Sequence, residues 1–188
     1  TNRQSLNLGP SLVALLSTDV RMVTGAMSNK DHGVREWDTT ADPYMKNVTA
    51  TNLGRVNEGT PGDVLIGYYQ PISEDLDGPD HIAERYFMIV NGLTGDDASA
   101  SDASQLIRID FDLGNSGIDS LLRRDRDTGA IEEVPLIHDA GSLYHLDLTL
   151  EGGTGDLFKY DDGATFVAAP EPGGVALLEP GGRADQPF

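Results

Sequence analysis

The chain has 188 residues, enough for one ordinary domain with a sizeable core. Its 31 Asp and Glu against 13 Lys and Arg leave a net charge of −18, a surface that repels phosphate backbones and anionic lipid and so argues against nucleic acid and membrane surfaces as partners. The lack of cysteine excludes disulfides, thiolate catalysis, Cys-ligated zinc and iron–sulfur clusters, and no apolar run reaches the roughly 18 residues that span a bilayer, so no membrane insertion is expected.

The start at Thr1, with no initiator Met, reads as that of a processed or excised piece of a longer chain. Residues 1–10 are polar and read as an entry segment. Two apolar clusters follow, Leu12-Val13-Ala14-Leu15-Leu16 and Val20-Arg21-Met22-Val23, separated by Ser17-Thr18-Asp19. The second has strand character; the first is strand or one helical turn. Residues 26–62 form a long irregular segment, rich in Asn, Asp, Thr and Gly, with isolated apolar residues. They hold the only Trp, Trp37, and Tyr44. A segment of this kind in a compact domain is often a functional loop. Asn47-Val48-Thr49 fits a glycosylation sequon, a triplet common by chance.

From Gly62 the pattern is plain. Asp63 to Gln70 is a strand ended by Pro71. Glu74-Asp75-Leu76-Asp77-Gly78-Pro79-Asp80 is an acidic turn. The run from Glu84 to Gly92 is apolar on both faces, Tyr86, Met88 and Val90 against Phe87 and Ile89, and reads as a central strand covered on both sides. Residues 94–104 are a small-residue acidic loop. Gln105 to Asp112 alternates, with Ile107, Ile109 and Phe111 inward and Arg108, Asp110 and Asp112 outward. Residues 118–124 and 131–137 flank a hairpin tip around Gly129, and Pro135, which lacks an N–H, places the second arm at an edge or bulge. Tyr144, Leu146, Leu148 and Leu150 alternate with His145, Asp147 and Thr149. A turn through Gly152-Gly153 leads to Asp156-Leu157-Phe158-Lys159-Tyr160, and Thr165-Phe166-Val167 is the last apolar stretch. Short strands spaced by turns, without a sustained helical period, predict an all-β fold: an antiparallel, Greek-key-like β-sandwich with little helix over residues 1–168, a closed barrel being the alternative. Residues 169–188 are Pro- and Gly-rich and read as a flexible tail.

Chemistry is sparse. Gly152-Gly153-Thr154-Gly155 lacks the Lys and helix of a phosphate loop, and Gly114-Asn115-Ser116-Gly117 misses nucleophile-elbow spacing. His32, His81, His138 and His145 share no zinc-ligand spacing. His145 and Asp147 read as a solvated pair on an outward strand face. Calcium is the cofactor the acidic loops suit best, with Asp75, Asp77 and Asp80 as the oxygen ligands around a Gly-Pro turn. Asp125 and Asp127 fail calcium-loop spacing, and ordinary turn use of Asp is the simpler account. Sugar binding needs exposed aromatic platforms, and Trp37, Tyr44 and Tyr69 are the candidates. No residue is assigned a catalytic role.

Two stretches carry a resemblance. Gly62-Asp63-Val64-Leu65-Ile66-Gly67-Tyr68-Tyr69 followed by Arg85-Tyr86-Phe87-Met88-Ile89-Val90-Asn91-Gly92 looks like a strand pair of the C-terminal β-sandwich domains of secreted glycoside hydrolases. Ile118 to Arg124, Asp127-Thr128-Gly129 and Leu146 to Tyr160 are similar to the closing hairpins of the same domains. Ala169-Pro170-Glu171-Pro172-Gly173-Gly174-Val175-Ala176-Leu177-Leu178 resembles the start of a PEP-type sorting signal of exported bacterial proteins. There the motif leads into a membrane helix and a basic end, whereas here Glu179-Pro180-Gly181-Gly182 interrupts it. The resemblance implies a secreted, non-catalytic accessory domain whose partner is the catalytic domain of a parent protein. It carries over no catalytic residue, because those lie in the other domain. A carbohydrate-binding module facing a polysaccharide and a self-assembling extracellular subunit, pairing through its N-terminal segment or an open edge strand, are the rival classes.

Overall fold

The computed structural model describes residues 2–25, 33–72 and 85–167. Asp75, Asp77, Asp80, His32, His81 and residues 168–188 lie outside the described residues. Among the described residues a helix, α1 (Asn2–Leu12), precedes eleven strands: β1 (Leu15–Thr24), β2 (Arg35–Glu36), β3 (Met45–Asn52), β4 (Val64–Pro71), β5 (Tyr86–Asn91), β6 (Gln105–Asp112), β7 (Ser120–Arg124), β8 (Ile131–Pro135), β9 (Ile137–Ala140), β10 (Leu143–Leu150) and β11 (Thr154–Tyr160). They form a seven-stranded sheet in the order β2-β1-β4-β5-β11-β7-β8 and a four-stranded sheet in the order β3-β6-β10-β9. All pairings are antiparallel except that of β2 with β1. The two sheets pack face to face, the sandwich expected from the alternation.

The inner core joins Val64, Ile66, Tyr68, Phe87, Ile89, Leu121, Phe158 and Tyr160 of the larger sheet to Met45, Ile107, Ile109, Phe111, Leu146, Leu148 and Leu150 of the smaller. Phe87 and Phe158, cross-strand partners, stack with ring centroids 5.4 Å apart. Each fully buried ring contributes roughly 3 kcal/mol over leaving it in water. The larger sheet also buries its other face. Leu8 of α1, Ala14, Leu15, Tyr86, Leu157, Phe166 and Val167 form a second cluster there, with Tyr69, Met88 and Leu122 packed against it. This explains why β5 reads as apolar on both faces: Phe87 and Ile89 meet the smaller sheet, while Tyr86 and Met88 lie under α1 and the 165–167 segment.

Two sequence readings are corrected. Residues 1–10 are not a mere entry segment, since most of them belong to α1. Gly9 and Pro10 hide the helix from propensity reasoning. It is held instead by contacts far away in sequence: Arg124 Nε donates to the Asn7 carbonyl (2.6 Å), and Ser11 Oγ, fully buried, donates to the Val167 carbonyl (2.6 Å). Residues 26–62 are not irregular throughout either, since β2 and the eight-residue β3 lie within them. Met45 and Val48 both point inward although they stand three apart, because a bulge between Met45 and Asn47 adds a residue. That shift breaks the two-residue period that reveals strands. A similar bulge lets β1 run through Ser17-Thr18-Asp19, so what looks like a break is one extra residue in a continuous strand.

Pro135 ends β8, at the edge of the larger sheet, as the missing N–H requires. Gly67 is open because Tyr69 folds back over it; a Cβ there would stand 2.9 Å from the Tyr69 hydroxyl. No helix among the described residues is long and apolar enough to cross a membrane.

Candidate functional site

The aromatic candidates do not share one surface. Trp37 is half-buried against the inner core, and its Nε1–H donates to Tyr68 Oη at 3.0 Å. Tyr68 Oη in turn faces Met45 Sδ at 3.7 Å, and burial pushes the Tyr68 phenol well above its usual range. Tyr44, also half-buried, meets Tyr160 edge-on at 4.9 Å. Tyr69 lies on the opposite side of the larger sheet, against the outer cluster, where burial raises its phenol too. Trp37 and Tyr44 thus close one side of the inner core, and Tyr69 is separated from them by the sheet.

Beside Tyr44 lies a residue sequence reading passed over. Asp42, 3% exposed, accepts through one carboxylate oxygen from the Tyr44 amide (2.8 Å), the Met45 amide (3.0 Å) and Tyr160 Oη (2.8 Å). Burial, and then the Asp42 charge, push the Tyr160 phenol far up. The arrangement anchors the start of β3 to β11.

On the outer face of the smaller sheet, His145 departs from the solvated pair expected. It is 8% exposed, and its Nδ1 lies 2.9 Å from Asp139 Oδ2, with Nε2 3.8 Å from Asp147. Asp139 sits on β9, so the closer partner comes from the neighbouring strand, which local spacing cannot reveal. Arg108 on β6 reaches Asp110 at 2.9 Å and lies within 4 Å of Asp139 and Asp147. Both imidazole nitrogens therefore face carboxylates, within a cross-strand polar network whose cation is Arg108. In the larger sheet Asp156, 1% exposed, is clamped by Arg126 (2.5 Å) and Arg123 (3.5 Å), with Glu132 on the far side of Arg123. Lys159, also 1% exposed, donates to the carbonyls of Ala164 and Thr165 and pairs with Asp162 (3.1 Å).

Open space lies at the loop end of the sandwich. A hollow of about 440 Å³ is lined by Asn57, Pro61, Gly62, Asp63, Leu93 and Thr94, and meets at Gly95 a second of about 450 Å³ along Arg55, Asp96 and Asp97. Asn57, Glu58, Asp63 and Asp97 all take left-handed backbone conformations. Such strain at non-glycine residues gathers where a chain is held for a purpose, although the turn at 56–59 is also fastened by Asn52 to the carbonyls of Val56 and Thr60. At the hairpin tip, Asp125 accepts from the amides of Asp127 and Thr128 and from the Thr128 hydroxyl, the turn role expected of it. Among the described residues no group of three or more His, Asp and Glu side chains is arranged to hold a metal ion.

No family model, curated protein or solved structure matches the chain.

Three surface carboxylates are held below the usual range by hydrogen bonds, the first of them at the loop end. Arg55 grips Asp102 through Nε (2.9 Å) and Nη2 (3.0 Å), and with the Ser99 amide and hydroxyl holds its carboxyl down at about 2. The Ser142 hydroxyl lowers Asp112 in the same way, and the Thr128 hydroxyl lowers Asp125. A carboxylate with a depressed folded-state pKa stabilises the fold above its unfolded value near 3.9, and that contribution is lost as pH falls toward the folded value. Acid unfolding followed by circular dichroism is expected between about pH 4 and pH 2. A transition centred above pH 5 would show that these contacts do not govern it.

Proposed function

We propose that the chain is a non-catalytic accessory β-sandwich domain of an exported carbohydrate-active protein, serving as a scaffold beside a catalytic neighbour. The observation that supports this is how its buried polar groups are used. Asp42, Asn91, Gln105, His145, Asp156 and Lys159 are each less than 9% exposed, and each terminates on another part of the same sandwich, joining strands, turns or sheets. A catalytic acid, base or nucleophile needs a reacting atom within reach of open space. These groups are aimed instead at backbone and at one another. The resemblance of the 62–92 and 118–160 stretches to accessory sandwiches of secreted glycoside hydrolases points the same way.

A carbohydrate-binding module is the second reading. The hollows beside Gly95 favour it, because Asn57, Asp63, Asp96 and Asp97 are side chains suited to sugar hydroxyls. Calcium at Asp75, Asp77 and Asp80 belongs to this reading. Calorimetric titration against a panel of soluble polysaccharides, with and without chelator, separates the two. The scaffold reading expects no saturable heat and no release of reducing sugar. Saturable binding that is lost in Asp96→Ala, at the hollows, or on chelation would replace it with the binding module, and hydrolysis would overturn both.

A further inference from the structure

We propose that helix α1 and residues 164–167 form a single clasp over the outer face of the larger sheet, one that opens as a unit while the inner core stays closed. The larger sheet buries two separate apolar clusters, one on each face. Strands of the smaller sheet close the inner one. The outer one, around Tyr86 and Leu157, is closed by Leu8 of α1 and by Phe166 and Val167. Tyr86 and Phe166 meet edge-on, their ring centroids 5.1 Å apart. Because the sheet itself separates the clusters, the outer one can be uncovered without parting the two sheets.

The two halves of the clasp hold each other. Ser11, fully buried, donates its hydroxyl to the Val167 carbonyl (2.6 Å) and accepts from Arg124 Nη1 (3.1 Å). A hydroxyl has a single proton to give, so when 164–167 leaves, Ser11 is left without its acceptor in an apolar setting. When α1 leaves, the Val167 carbonyl loses its donor, and Arg124, whose Nε serves the Asn7 carbonyl (2.6 Å), loses both of these acceptors. Departure of either half thus removes a polar partner and an apolar cover from the other, which ties the two openings together. Each half also has an anchor of its own. Asn7 Nδ2 donates to the Arg126 carbonyl (2.9 Å) on one side. On the other, the Val167 amide donates to Tyr86 Oη (3.0 Å), and Lys159 Nζ donates to the carbonyls of Ala164 and Thr165.

The clasp is also the weaker layer. Of residues 3–12 only Leu8 and Ser11 are buried. Gly9 and Pro10 are poor helix formers, and Pro10 lacks the N–H that would reach the Leu6 carbonyl. The inner core, by contrast, joins Phe87, Phe111, Phe158 and Tyr160 between two sheets. Segments with few buried contacts open at free energies well below that of the whole fold. Coupling between two such segments is reciprocal. A contact that draws the chain away beyond Val167 therefore frees α1 and bares Tyr86 and Leu157, and a contact that lifts α1 frees 164–167. The device stands independently of any carbohydrate-active neighbour.

Amide hydrogen exchange of the intact chain, read residue by residue by NMR, tests the proposal. The Val13 amide, bonded to the Gly9 carbonyl (3.0 Å), closes the last turn of α1 and reports on that half; the Val167 amide reports on the other. Their protection factors are expected to agree within about three-fold and to lie at least about 100-fold below those of the β6 amides. Two substitutions then each remove an anchor from one half only. Tyr86→Phe takes the acceptor from the Val167 amide and is expected to speed exchange at Val13 about five-fold. Asn7→Ser, similar in helix propensity but too short to reach Arg126, is expected to speed exchange at Val167 by about the same factor. Ser11→Ala should speed both, and Thr49→Ala, on the outer face of the smaller sheet, neither. The β6 amides should be unchanged in all four. Should Tyr86→Phe fail to fold by circular dichroism, Asn7→Ser decides alone. Acceleration confined to the half that carries the substitution, a wider gap between Val13 and Val167 in the unsubstituted chain, or protection of both equal to that of β6 would each overturn the proposal.

Discussion

Asn91→Ala is expected to destabilise the fold by about 4 kcal/mol. Asn91 is fully buried at the end of β5, where the two sheets meet. Its Nδ2 donates to the carbonyls of Ala103 (2.9 Å) and Leu150 (2.8 Å), and its Oδ1 accepts from the Leu93 amide (3.0 Å) and from Gln105 Nε2 (2.7 Å). Gln105, also fully buried, starts β6 in the other sheet and exchanges a bond pair with Gly62, its Nε2 donating to the carbonyl and its Oε1 accepting from the amide. All donors and acceptors in this network are satisfied, and it sews the larger sheet, the smaller sheet and the entry to β4 together. Truncation strands two carbonyls, one amide and part of the Gln105 amide group in a place water does not reach. Each such group costs on the order of 1–3 kcal/mol, offset in part by relaxation around the cavity. Chemical denaturation measures the loss. In a double-mutant cycle with Gln105→Ala the two losses should fall short of additivity by about 1–2 kcal/mol, because either truncation breaks the same bond. A loss under about 1.5 kcal/mol for Asn91→Ala would mean that the network is ornamental.

Asp42→Ala is the second large effect, expected at about 3 kcal/mol. The substitution leaves the Tyr160 hydroxyl, which lies among Phe87, Phe111 and Tyr44, without its acceptor. It also frees the two amides that begin β3. Asp42→Asn keeps a carbonyl oxygen in the same place and is expected to cost about 1 kcal/mol, since the three donors retain a partner but lose a charged one. Tyr160→Phe removes the stranded hydroxyl, so adding it to Asp42→Ala should recover part of the loss. Thermal or urea melts of the four proteins decide the matter. Equal losses for Asp42→Ala and Asp42→Asn would show that packing, and not the acceptor, is what the site supplies.

Both sites show where sequence reading stops. Asn91-Gly92 reads as a turn signal after a strand; β5 does end there, but the Gly92 amide donates to the Asp63 carbonyl and so extends the pairing with the β4 side by one more bond. Only the bond from the Leu93 amide is local; nothing local marks Asn91 as the hub of a network, because its other three partners stand 12, 14 and 59 residues away. Asp42 precedes a Pro and resembles any other turn aspartate. Its tie to Tyr160 spans 118 residues. The expected pair of His145 with Asp147 is present at 3.8 Å but is not a solvated one, and the neighbouring strand adds Asp139 closer still, at 2.9 Å. Trp37 and Tyr44 stand out as rare aromatics in a polar segment, yet rarity does not say whether a ring faces solvent. The inner core takes part of both.

The sequence by itself determined the all-β class, the two-faced centrality of β5, the inward set Ile107, Ile109 and Phe111, and the edge position marked by Pro135. In each case the signal is a short-period pattern or a missing donor, and such constraints act locally wherever the chain folds. Only the tertiary structure decided that Gly9 and Pro10 sit within a helix, that β3 is a strand despite its bulge, and which polar groups are joined across the sandwich. Those outcomes depend on contacts between residues distant in sequence: the burial of Leu8 and Ser11 against the sheet outweighs poor helix propensity, and pairing with β6 supplies the register that β3 lacks on its own.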